Sequence, residues 1–173
     1  MSQTVVGILA ANPALSSILA MVLGGDTRLS IRQFANEDEL FGYLYAAPID
    51  ILICDFDRAG RPAYEMVEAI RLDNHIPSRD AQVIGLSRTI TPPMRQQTIS
   101  AGIDEVILKP ASPRYLLQRV QARIAPRPAV SSPSGYRGPD RRNRMPFPTP
   151  QPNPKRRQED NVVTLFPEGS ERG

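Results

Sequence analysis

Asp55 and Asp57 stand one residue apart at the end of the apolar run Ile51-Leu52-Ile53-Cys54. That run carries no polar side chain, so both of its faces must be covered, as in a central strand of a parallel sheet with helices on each side. In open parallel sheets the ligands and the chemistry collect where the strands end and the loops meet the crevice. A carboxylate emerging there either caps or pairs within its loop, or acts as a nucleophile or metal ligand. Cys54 is the single cysteine, which excludes an internal disulfide or a cysteine metal cluster and fits a reducing compartment. His75 has no partner at ligand spacing and reads as a surface residue.

The elements that must position these acids alternate in type. Val5 to Leu9 is a short apolar strand, and Asn12-Pro13 supplies an N-cap with proline at the first helical position. Leu15, Ile18, Leu19 and Val22 then recur at helical spacing until Gly24-Gly25. Leu29 to Phe34 reads as a strand nearer the sheet edge, and Asn36 with Glu39 makes a capping-box start for a helix through Tyr45. After the acidic strand come a loop with Gly60 and Pro62 and a helix whose apolar side is Met66, Val67, Ile70 and Leu72. Ala81 to Leu86 is a fourth strand. Thr91-Pro92-Pro93 opens a helix ending at Gly102, Glu105 to Leu108 is a fifth strand, and Ser112-Pro113 caps a last helix carrying Leu116, Leu117, Val120 and Ile124. Five strands alternating with five helices imply a doubly wound parallel α/β sheet, since each crossover is right-handed and lays its helix on a face.

Composition divides the chain. Of its 173 residues 40% are hydrophobic, enough for a core, but the large aliphatics concentrate in residues 1–125. From Pro126 to Gly173 prolines crowd and little can be buried against the ordering entropy, so 126–173 reads as a disordered, proline-rich tail. Residues 126–173 hold nine Lys/Arg and five Asp/Glu, a balance of +4 against +3 for the whole chain, so basicity belongs to the tail and not to the domain. The basic clusters around Arg141-Arg142 and Lys155-Arg156-Arg157 lack a recognition-helix pattern, which argues against nucleic acid as the partner. No apolar run approaches the ~20 residues of a membrane span and the N-terminus lacks the basic start of a signal peptide, so a cytoplasmic protein is expected. Near the C-terminus Val162-Val163-Thr164-Leu165-Phe166 interrupts the polar tail. Its β-branching suits an extended segment able to add to a sheet edge or lie in a groove, on its own domain or on a partner, though so short a strand offsets little ordering entropy and a solvated tail is the expectation for the isolated protein.

Asp50 five residues before Asp55, Ile70-Arg71 in the third helix, Leu86-Ser87 after the fourth strand and Lys109-Pro110 after the Ala101-Gly102-Ile103-Asp104-Glu105 approach together resemble the receiver domain of bacterial two-component response regulators. The resemblance covers Val5 to Ile124 and implies a five-stranded, flavodoxin-like fold. It also implies that Asp55 is the phosphoacceptor, Ser87 the hydroxyl that hydrogen-bonds the phosphoryl group and Lys109 the lysine that pairs with it. A histidine kinase or phosphotransfer protein would donate, and a downstream protein would read the result. The chemistry would be phosphoryl transfer to a carboxylate, signalling rather than enzymatic.

The departures from that family are specific. Receivers present two adjacent acids after the first strand that hold Mg²⁺ with the phosphoacceptor and a backbone carbonyl two residues beyond it. Here those positions are Ala10 and Ala11. Asp55 and Asp57 alone would make a weak Mg²⁺ site, because that ion needs a near-octahedral oxygen shell. Val106 replaces the family's aromatic, and Arg88 replaces a small residue. Arg88 is a candidate stand-in cation, its guanidinium reaching over the pocket to Asp55 or else pointing to solvent. The sequence therefore supports a phosphorelay component with weakened metal binding, or a phosphorylation-independent adaptor that kept the fold and lost the switch. Asp55-Phe56-Asp57 also resembles the nucleophile motif of haloacid-dehalogenase-type phosphohydrolases, but Ala59 departs from that motif and the strand is third rather than first.

Overall fold

The computed structural model describes residues 3–124 and the backbone of Val162–Val163. Its elements run β1 (Thr4–Leu9), α1 (Pro13–Gly24), β2 (Leu29–Phe34), α2 (Glu37–Ala46), β3 (Ile51–Asp55), α3 (Ala63–Leu72), β4 (Gln82–Ser87), α4 (Pro92–Ser100), β5 (Glu105–Leu108), α5 (Pro113–Gln121) and β6 (Val162–Val163). The strand order is β2-β1-β3-β4-β5-β6, with every pair parallel except β5 and β6. The five-stranded doubly wound sheet expected from the alternation is present. It is extended by a sixth, antiparallel strand, Val162–Val163, where a solvated tail was expected: the open edge of β5 gives the β-branched pair a ladder to join. The remainder of the expected disordered tail, 126–173, lies outside the described residues.

Side chains alternate across the sheet, as the two-residue period of a strand requires. Leu9, Leu52, Cys54, Val83 and Val106 join α2 and α3 in one buried cluster. Val6, Ile8, Ile51, Ile53, Ile84 and Ile107 join α1 and α5 in the other. Both faces of β3 are thus covered, and all five of its residues are buried.

The helices start where the sequence caps them. Asn12, Asn36, Thr91 and Ser112 each accept a hydrogen bond from the amide three residues on, and Pro13, Pro92 and Pro113 occupy first helical positions. The Asn36 box is modified: the Glu39 carboxylate accepts from the Ala35 amide at 2.7 Å rather than from the cap's own N–H. One expectation for α3 fails. Leu72 is half exposed, whereas Arg71 is buried, its guanidinium donating to the carbonyls of Arg79 and Gly102 and lying 3.9 Å from Asp104. A buried guanidinium satisfies the loop carbonyls before β4 and β5, which a leucine could not. Among the described residues, no helix is long and apolar enough to cross a membrane.

Candidate functional site

The site stands at the carboxyl ends of β1, β3, β4 and β5, at the point where the strand order reverses between β1 and β3. Register brings the parts together. Asp55 pairs with Leu86 and Ser87 with Leu108, and two further bonds carry the alignment past the strand ends: the Phe56 amide donates to Leu86 O at 2.7 Å and the Lys109 amide to Ser87 O at 2.7 Å. Consequently Asp55, Ser87 and Lys109 leave three neighbouring strands at one level.

Lys109 reaches back across this crevice. Its Nζ donates to both oxygens of Asp55, at 2.8 and 3.0 Å, and lies 2.7 Å from Asp57 Oδ2. The Asp55 carboxylate also accepts from the Asp57 amide at 2.9 Å and from the Ala11 amide at 3.2 Å, and its side chain is 0% exposed. Ala11, at one of the two positions where an acid was expected from the family pattern, therefore still contacts Asp55 through its backbone amide.

The second acid is tied as firmly. Asp57 holds Lys109 on one side and Arg88 on the other, accepting from the Arg88 amide at 3.1 Å and from its Nε at 3.1 Å. Burial works to raise the Asp57 carboxyl, but Lys109 and Arg88 outweigh it and hold it below the usual carboxylate range. Burial likewise opposes the charge on Lys109, while Asp55 and Asp57 hold its ammonium above the ordinary lysine value. Of the two readings of Arg88, a reach to Asp55 or a side chain in solvent, neither holds as stated: the side chain is largely exposed and pairs with Asp57, since both emerge on adjoining loops and Lys109 already spans Asp55. The Arg88 side chain is 74% exposed, so it neutralises the rim rather than the interior of the pocket.

Ser87 is fully buried, and its hydroxyl donates to Thr89 O at 2.5 Å while accepting from the Thr89 amide, so it is turned onto its own loop. Two features carried no signal in the one-dimensional pattern. Glu37, in the first turn of α2, takes Arg58 and Arg61 together, clamping the loop after β3 to α2, with the Arg61 guanidinium 5.7 Å from the centre of the Phe41 ring. Phe56 lies against Gly85, where an added Cβ would come within 2.5 Å of the ring, so a glycine on β4 sets the height of the segment that joins the two acids. Burial, with a smaller push from Asp55, raises the Cys54 thiol to about 12, which keeps it unreactive beside the site.

The donor set does not fit a receiver's metal site. Among the described residues no three carboxylate, imidazole or thiolate groups converge, and an ammonium already bridges the two acids that remain. A cation bound there would have to displace Lys109 or accept it as a close neighbour.

Residues 7–121 match the family model described as the response regulator receiver domain. The chain belongs to that family. Solved structures give the same fold. A response regulator from Thermotoga maritima is 24% identical over 72% of this chain and 99% of its own, with a TM-score of 0.61. The chemotaxis response regulator CheY4 of Vibrio cholerae is 18% identical over 71% of this chain and 99% of its own, with a TM-score of 0.61. A CheY-like receiver domain protein from Methanospirillum hungatei is 18% identical over 71% and 94%, with a TM-score of 0.63. None of the curated proteins matches the chain. Family membership, with the acidic strand third in the order, sets aside the phosphohydrolase resemblance.

Proposed function

We propose that this receiver domain, residues 1–125, is a phosphorelay signalling module that acts in the cytoplasm by protein contact, with Asp55 as phosphoacceptor and Lys109 supplying charge neutralisation that receivers otherwise share with Mg²⁺. The observation that carries this reading is the bidentate grip of Lys109 on Asp55. In the reaction a carboxylate oxygen of Asp55 attacks the phosphorus of a phosphohistidine on a kinase or phosphotransfer protein. The O–P bond forms as the P–N bond breaks, and the leaving imidazole keeps the electron pair and takes a proton from solvent. Lys109 faces the charge on the transferring oxygens. Ser87 would have to leave Thr89 to donate to them. With Ala10 and Ala11 in place of acids, like-charge repulsion between an incoming phosphoryl group and the carboxylates is poorly offset, so transfer is slow and Mg²⁺ gains little hold at the site.

A specific observation favours a second reading, a phosphorylation-independent adaptor: both Asp55 oxygens are already engaged and the side chain is fully buried. Incubation with acetyl phosphate followed by intact-mass measurement decides between them. A phosphoryl adduct that is absent from Asp55→Asn supports the acceptor. No adduct on the wild-type protein after prolonged incubation, with Asp55→Asn unchanged in partner capture, supports the adaptor.

A further inference from the structure

We propose that the outer edge of β5 is a strand-addition site whose resident ligand is the chain's own Val162–Val163 segment, so that this edge is plugged in cis and opens only when β6 leaves. β6 pairs antiparallel with β5, Val163 opposite Val106 and Val162 opposite Ile107, although residues 125–161 separate it in sequence from the domain it joins.

The two outer strands of the parallel sheet are protected differently. β2 carries Arg32 and Gln33 at exposed positions, polar side chains of the kind that discourage further pairing. β5 has only the sequence Glu-Val-Ile-Leu, with no charge after Glu105, and the alternating direction of strand N–H and C=O groups leaves part of its backbone facing away from β4. An apolar edge of this kind templates an added strand, and that is the edge on which β6 lies. The added segment has matching chemistry: Val162 and Val163 are both β-branched. A tether presents this ligand to its own edge at an effective concentration that a separate peptide must supply in solution. The pairing spans only two residues on each strand, so it is short enough to be exchanged for a longer extended segment of another protein.

The test uses the full-length chain and a Val162→Pro/Val163→Pro variant, which removes both amide donors of β6 and leaves the domain untouched. Amide hydrogen exchange is followed across Val106 to Leu108, with β1 and β3 amides as internal references. Exchange in β5 is expected to quicken at least tenfold in the variant, with the references unchanged. A synthetic peptide spanning residues 158–170 should restore the protection of the variant at concentrations that leave the wild type unaffected. Equal β5 exchange in the two proteins, or peptide protection of both at the same concentration, overturns the proposal. None of these outcomes depends on phosphorylation of Asp55, so failure here is separate from failure of the acceptor reading.

Discussion

The Lys109 ammonium sits astride the Asp55 carboxylate, 2.8 Å from one oxygen and 3.0 Å from the other. An ion pair with one partner fully buried is a poor source of net stability but costly to break at the lysine, because that strands the buried Asp55 carboxylate, whereas Lys109 without Asp55 keeps its pairing with Asp57. Lys109→Met should therefore destabilise the domain by roughly 2–3 kcal/mol, below the cost of a wholly buried pair because water still reaches part of the lysine. Asp55→Asn should be close to neutral, since the amide relieves the crowding of Asp55 against Asp57. Combining the two should recover most of the Lys109→Met loss. Urea midpoints at neutral pH measure all three, and a silent Lys109→Met beside a strongly destabilised Asp55→Asn would contradict the pairing.

The same cluster fixes a pH profile. The Asp57 carboxyl is held below its ordinary value of 3.8, so its contribution is complete above that pH and is lost as pH falls through the lower folded value. Lys109 is held above 10.5, so its contribution is complete below that pH and is lost as pH rises through the higher folded value. The stability difference between wild type and Lys109→Met should accordingly be flat from about pH 5 to about pH 10 and shrink outside that window. Thermal melts across the range give the answer, and a difference that changed steeply near pH 7 would point to a group outside this cluster.

Gly85→Ala tests how the two acids are held at their height. The new Cβ would meet the Phe56 ring at 2.5 Å, so the ring, and with it the segment between Asp55 and Asp57, must shift. A loss of roughly 1–3 kcal/mol is expected, in the range of overpacked cores. Gly85→Ala/Phe56→Leu should regain part of it. If the single replacement left the thermal midpoint unchanged, Phe56 would not be the spacer described.

Much of this architecture was legible in the chain itself. The caps at Asn12, Asn36, Thr91 and Ser112 and the unbroken apolar strand before Asp55 are local signals, and local signals located every element of the parallel sheet. Asp55 was legible as the acid at the end of the apolar strand, and Ser87 and Lys109 as its neighbours through the resemblance to receiver domains. Leu72 and Arg71 went the other way, since periodicity cannot tell which of two adjacent residues finds a buried set of acceptors. The pairing of Arg88 with Asp57, the Glu37 clamp on Arg58 and Arg61, and the seating of Phe56 on Gly85 depend on how separate loops meet, which no local pattern encodes. The extended character of Val162-Val163 could be read from β-branching, but the choice of β5 over β2 as its edge required both edges to be seen.

The decisive measurement is the rate of acetyl phosphate labelling as Mg²⁺ is titrated, in the wild type and in Ala10→Asp/Ala11→Asp, read by intact mass with Asp55→Asn as the blank. With an ammonium as the standing cation, wild-type labelling should be slow and respond only weakly to Mg²⁺, whereas the double replacement should label faster and saturate at lower Mg²⁺. Rapid, strongly Mg²⁺-dependent labelling of the wild type that the double replacement leaves unchanged would contradict the assignment of Lys109 as the cation of this site.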